Sequence, residues 1–187
     1  MTRGHARPAP AVLVGLSLAL ALGLIVGGCG FAAATVVTPP PSPVAPPSLD
    51  SAIGAARARL ASALAPVGFQ LRDPQVAYRP AESPSLTDAR RTVVQAVIPA
   101  APDRGFIVLY ELADPAAADA AAHEQAAYIA SGIGRVQFPN DARFVLRVVG
   151  PVVVFYTWSP SSRAAPNDEK ALGDAIATIG QGVSVPG

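Results

Sequence analysis

One pattern occurs twice in this chain: two β-branched runs of strand length joined by turn chemistry, followed by a helix with a start signal. Arg91 to Ile98 and Phe106 to Glu111 flank Pro99-Ala100-Ala101-Pro102-Asp103, a turn-forming stretch, so they are expected to pair as a hairpin. Asp114, with Pro115 in the first turn, then caps a helix running to about Ser131, where Gly132 and Gly134 are expected to stop it. Arg143 to Val149 and Val152 to Trp158 form a second hairpin across Gly150-Pro151, glycine supplying the positive φ that a tight turn requires. Asn167 or Asp168 opens the last helix, with Leu172, Ile176 and Ile179 on one face, and Gly180 and Gly182 close it. No residue-level similarity relates the two copies, so the repetition is one of pattern only.

Ahead of these units, Ser48 can cap a helix whose apolar positions Ile53, Ala56, Leu60 and Leu64 recur at helical spacing, and Pro66 and Gly68 end it. A short strand is expected around Phe69 to Leu71, and Arg72 to Ala89 reads as irregular. The order α-(β)-ββα-ββα predicts an α+β domain: an antiparallel sheet of about four to five strands with helices packed on one face. One departure stands out. A sheet covered on one side should alternate apolar and polar residues, yet Ile107-Val108-Leu109-Tyr110 and Val152-Val153-Val154-Phe155-Tyr156 are apolar on both faces. Either helices or the Arg72 to Ala89 stretch cover both faces, or one face is a homodimer contact or a groove for a small apolar ligand.

The N-terminus carries a different message. Arg3, His5 and Arg7 precede a wholly uncharged run from Ala11 to Val26, the grammar of a signal peptide. Val26-Gly27-Gly28-Cys29 resembles the lipobox of bacterial lipoproteins, with an aliphatic residue, two small residues and then the cysteine. The resemblance implies that the Cys29 thiol receives a diacylglyceryl group and that cleavage before it makes Cys29 the first mature residue. Two acyl chains, at roughly 0.8 kcal/mol per buried CH₂, anchor stably where one does not. The partner implied is therefore the cell membrane or an outer membrane, with the domain extracytoplasmic. The expected organisation is a signal peptide over 1–28, the lipidated cysteine and a proline-rich stalk over 29–47, and a single globular domain over 48–187. The stalk, Thr38 to Pro47, favours polyproline II and at about 3.1 Å per residue would span roughly 30 Å. Two alternatives share the leader. The uncharged run extends to Val37, enough for a single-pass signal anchor, which needs roughly 20 apolar residues, while cleavage after Ala32-Ala33-Ala34 would release a soluble protein.

Composition narrows function mainly by exclusion. Lys170 is the only lysine among fourteen basic residues, a usage in which arginine abundance carries little functional weight. Once Arg3 and Arg7 leave with the leader, basic side chains no longer outnumber the thirteen acidic ones, and no basic stripe suggests nucleic acid. Cys29 is the only cysteine, which excludes an internal disulfide and a cysteine-based zinc site. His123 is the only histidine beyond the leader; no Gly-x-Ser-x-Gly elbow accompanies it, and His123-Glu124 lacks a second histidine one turn on, where Ala127 stands. Gly132-Ile133-Gly134 follows a helix instead of joining a strand to one, so it is not a phosphate loop. No catalytic residue, metal or cofactor is expected.

Tyr156 and Trp158 on one strand face, with Arg163 in the polar loop beyond, are the candidate binding residues, core packing being the competing reading of the two aromatics. The expectation is a non-catalytic envelope lipoprotein that binds a ligand or an envelope protein. An extracytoplasmic hydrolase using Asp73, Glu82, Asp103, Glu111 or Asp141 is one alternative, and a structural or assembly-accessory protein is the other.

Overall fold

The computed structural model describes residues 52–162 and 165–186. The lipobox residues Val26, Gly27, Gly28 and Cys29, the stalk, the Ser48 cap and Arg163 lie outside the described residues. The elements in chain order are α1 (Ala52–Leu64) with a 3₁₀ turn (Ala65–Val67), β1 (Leu71–Arg72), α2 (Pro84–Asp88), β2 (Arg90–Ala96), β3 (Phe106–Glu111), α3 (Pro115–Ala130), α4 (Gly132–Arg135), β4 (Arg143–Val149), β5 (Val152–Trp158), α5 (Pro166–Ile176) and β6 (Gln181–Gly182).

Both expected hairpins form, and the six strands make one antiparallel sheet in the order β1-β2-β3-β5-β4-β6. The fold is of the α+β class, with two edge pairings of two residues each: β1 on β2, where a short strand is expected around Phe69 to Leu71, and β6 on β4, which is not expected. Gly150 turns the second hairpin at φ +58°, the left-handed conformation the turn demands. Asp114 caps α3 by accepting from the Ala117 N–H at 2.8 Å. Gly132 and Gly134 do not end the helical path as expected. Ser131 breaks it in an extended conformation, and its hydroxyl accepts from the Gly134 N–H to start α4.

The helices lie on both faces, not on one. α1 and α5 pack over Leu109, Val154 and Tyr156, whereas α3 packs over Val108, Tyr110, Val153 and Phe155. Topology explains this. The connections β3 to β4 and β5 to β6 each cross one intervening strand in the same direction, but β3 and β5 run antiparallel. Crossovers of one hand, right-handed as a rule, then deliver their helices to opposite faces. The two ββα units are consequently not related by a twofold axis through the sheet, which would put both helices on the same side. The doubly apolar runs of β3 and β5 are the two-sided centre of an α/β/α stack. Among the described residues, helices cover both faces of β3 and β5.

Polar clamps fasten the irregular segment before β2 to this frame. The fully buried Gln125 of α3 accepts from the Ser83 N–H at 2.6 Å and donates to the Ala81 carbonyl at 3.0 Å. Glu82, whose side chain is 2% exposed, accepts from Arg79, Arg91 and the Tyr110 hydroxyl.

Candidate ligand-binding groove

Most of the carboxylates that the sequence offers for hydrolytic chemistry hold structural partners. His123 is exposed on α3, its Nδ1 2.9 Å from the Asp119 carbonyl and 3.5 Å from that residue's carboxylate. Its neighbour Glu124 accepts from the Ser85 N–H and hydroxyl, capping α2. Asp73 pairs with Arg57 at 3.0 Å and Glu111 with Arg90 at 3.2 Å, while Asp103 is exposed 3.9 Å from Arg104. Asp141 accepts from the Ser159 hydroxyl and the Ser161 N–H, which hold its carboxyl down to about 2, too acidic to serve as a proton donor near neutrality. Glu169 is shifted the other way by burial, but at 2% exposure it is closed off from any substrate. Among the described residues, no three of His, Cys, Asp and Glu gather as a metal site would require.

The aromatic candidates fall beneath α5. Tyr156 is 1% exposed, its hydroxyl donating to the Glu169 carbonyl at 3.2 Å, so it has no surface to offer a ligand. Trp158 is half-buried against the same core, its indole next to Gly173 of α5. Both aromatics do share one face of β5, but as packing for a helix.

A groove opens instead at the β4 edge of the sheet. Its volume is about 680 Å³, within the usual 300–1,000 Å³ of ligand pockets. The floor is Arg143 to Arg147 of β4, and the walls are the end of α3 with Arg135 on one side and the tail Gly182 to Pro186 on the other. It exists because β6 is only two residues long. β6 pairs with Arg147 and Val148, the Val183 N–H makes one more bond to the Leu146 carbonyl at 3.0 Å, and the tail then leaves the sheet.

The electrostatics of the lining are one-sided. Among the described residues it contains Arg135, Arg143 and Arg147 and no carboxylate. Arg147 donates to the carbonyls of Ile179 and Gly180 at 2.5 and 2.6 Å, at the exit of α5, and partial burial lowers its pKa. Arg135 donates to the Asn140 carbonyl, its guanidinium carbon 5.7 Å from the centre of the Phe144 ring. Arg143 is exposed, paired through its main chain with Trp158, and its guanidinium makes neither a hydrogen bond nor an ion pair with the described residues. The contrast with Arg57, Arg79, Arg90 and Arg91 is direct, since each of those faces a carboxylate within 3.2 Å. Main-chain carbonyls orient a guanidinium without cancelling its charge, so the groove retains a positive field that a carboxylate or phosphate can bind.

A second groove, of about 520 Å³ between α1 and β1, lacks this chemistry, because its one charged lining residue, Arg57, is paired with Asp73. Sequence reasoning missed the first groove. Its one available signal was Arg143-x-Val145-x-Arg147, two cations on one face of a strand, easily read as a solvated margin. Comparisons of the chain with protein-family models, curated proteins and solved structures yield no match in any of the three.

Proposed function

We propose that this chain is a non-catalytic envelope lipoprotein, held outside the cytoplasmic membrane through Cys29, whose domain binds an anion-bearing ligand in the groove along β4. The observation that carries the reading is the concentration of Arg135, Arg143 and Arg147 in a lining with no carboxylate among its described residues, on a domain close to electrical neutrality. The commitment of the candidate carboxylates to structural partners favours binding over hydrolysis. The lipobox-like Val26-Gly27-Gly28-Cys29 supports the anchor.

Titration of the full-length, detergent-extracted protein with inorganic phosphate, citrate and short acidic peptides tests the binding reading. Binding is expected to weaken as salt rises, because exposed charges are screened over about 10 Å at 0.1 M ionic strength. It should fall at least tenfold in Arg143→Ala, since a charge-assisted hydrogen bond contributes roughly 1.5–3 kcal/mol. If none of these anions binds, or if Arg143→Ala binds them all as the parent does, the groove reading is wrong. Mass spectrometry of the same material tests the anchor independently: an N-terminus other than acylated Cys29 removes it.

A further inference from the structure

Resting on the reading of the groove as an anion site, we infer that its ligand is an extended acidic peptide segment of a partner protein, which adds to the sheet as a strand along β4. The first ground is the main chain. In an antiparallel strand, alternate residues direct both their N–H and C=O to the same side. The Leu146 carbonyl points to the outer edge, where it accepts from Val183. Phe144, two residues earlier, therefore presents its N–H and C=O to that same edge, and β6 does not reach it. The outer edge from Arg143 to Val145, ahead of the Leu146–Val183 bond, suits about three residues of an added strand, roughly 10 Å at 3.3 Å per residue.

The second ground is charge and its placement on both sides of that edge. Arg143 and Arg147 project with Val145 toward the α5 face, while Arg135 lies over Phe144 on the α3 face. Successive side chains of an added strand point to opposite faces, so acidic residues find a guanidinium on either side. Beside the groove-lining Arg135 in sequence, Ile133 and Val136 are 75% and 77% exposed, two of the four exposed large apolar side chains among the described residues. An acyl chain would need a more enclosed and more apolar channel than this open trough, floored by a strand carrying two arginines.

Cations on a sheet edge also serve to keep edges of like molecules apart. The two roles predict different behaviour. An edge that is merely protected repels every strand, whereas a docking edge selects by charge and needs the incoming amides.

The test uses full-length protein in detergent and the dye-labelled hexapeptide Glu-Val-Glu-Val-Glu-Val, blocked at both ends, read by fluorescence anisotropy. The acidic peptide is expected to bind, and its Lys-Val counterpart to bind at least tenfold more weakly. Of two peptides N-methylated on alternate sets of amides, one should lose at least tenfold and the other should bind like the parent. Arg143→Glu should reverse the preference toward the Lys-Val peptide while leaving thermal melting unchanged, since Arg143 contacts no other described side chain by hydrogen bond or ion pair. If both N-methylated peptides bind like the parent, the groove holds anions without forming a strand; this inference then falls and the anion site stands. If soluble short-chain phosphatidylglycerol binds and the peptide does not, the ligand is a lipid headgroup and the inference falls. If phosphate, citrate, lipid and peptide all fail to bind, the anion site itself is refuted.

Discussion

Glu82→Ala should cost the fold about 3 kcal/mol, and the figure follows from what its carboxylate touches. The side chain is 2% exposed and accepts from Arg79 at 2.7 Å, Arg91 at 2.8 Å and the Tyr110 hydroxyl at 2.8 Å. Arg79, at 54% exposure, returns to water with little penalty, as exposed pairs contribute no more than about 1 kcal/mol. Tyr110 cannot. Its side chain is fully buried at the centre of the sheet, and losing its acceptor costs about 1–3 kcal/mol. Arg91, at 31% exposure, is partly stranded as well, which places the total toward the roughly 3–5 kcal/mol of a broken buried pair. Urea unfolding followed through Trp158, the only tryptophan, measures the loss directly. A fall in melting temperature of roughly 10 °C should accompany it. Adding Tyr110→Phe to Glu82→Ala should recover about 1–2 kcal/mol, because the stranded hydroxyl is then gone. A loss below about 0.5 kcal/mol for Glu82→Ala, the range of neutral surface changes, would mean that the segment before β2 is not held by this knot.

Three other perturbations have determined signs. Glu169 is buried, one of its carboxylate oxygens has no hydrogen-bond partner among the described residues, and burial raises its pKa above the ordinary 4.5, so folding favours the protonated form. Its contribution is therefore fully present below the unfolded value and is lost as pH rises through the folded one. Glu169→Gln should flatten the decline of melting temperature above pH 4.5 and stabilise the protein at neutral pH, and an unchanged pH profile would contradict the assignment. Gln125→Ala, which leaves the buried Ser83 N–H and the half-buried Ala81 carbonyl unpaired, should cost about 1–3 kcal/mol in urea unfolding, while Gln125→Glu should cost more by setting a carboxylate against the Ala81 carbonyl. Gly134→Ala places a methyl group on the Tyr128 carbonyl, so a loss of about 1–3 kcal/mol is expected, and a neutral result would show that the turn into α4 relaxes freely.

What the sequence discloses here is what local chemistry decides. The two hairpins and α3 were legible because β-branched runs, the Gly150-Pro151 turn and the Asp114 cap each act over a few residues. The face each helix covers was not legible. It depends on the β3-β5 neighbourhood, a pairing of residues more than forty positions apart such as Leu109 with Val154. β6 was invisible for a related reason. Gln181-Gly182 has no apolar pattern and becomes a strand only because Val148 and Arg147 lie opposite it. Trp158 and Tyr156 gave a true signal of one strand face, and α5, placed by the second crossover, packs on that face, in keeping with the core-packing reading of the two aromatics. The lipobox residues and Arg163 lie outside the described residues, so their roles rest on the sequence alone.

The groove and the sheet topology are linked as consequence and cause. A helix delivered to each face leaves the central strands dry and two-sided, which restricts access from solvent to the sheet margins. The β1 margin is lined mainly by small and apolar groups, with Arg57 neutralised by Asp73. At the β4 margin the second crossover ends in a strand two residues long, so the outer edge of β4 ahead of Leu146 is left without a strand beside it. A longer β6 would pair Phe144 and fill the space that Ser184 to Pro186 now wall. Arginine suits such an edge because its guanidinium can be held by main-chain carbonyls, as Arg147 is by Ile179 and Gly180, while keeping its charge. A lysine there would satisfy the same carbonyls with a compact, more strongly hydrated ammonium and could not present a planar fork to a carboxylate. The edge is thus unpaired, positively charged and laterally positioned by the same crossover that closes the core.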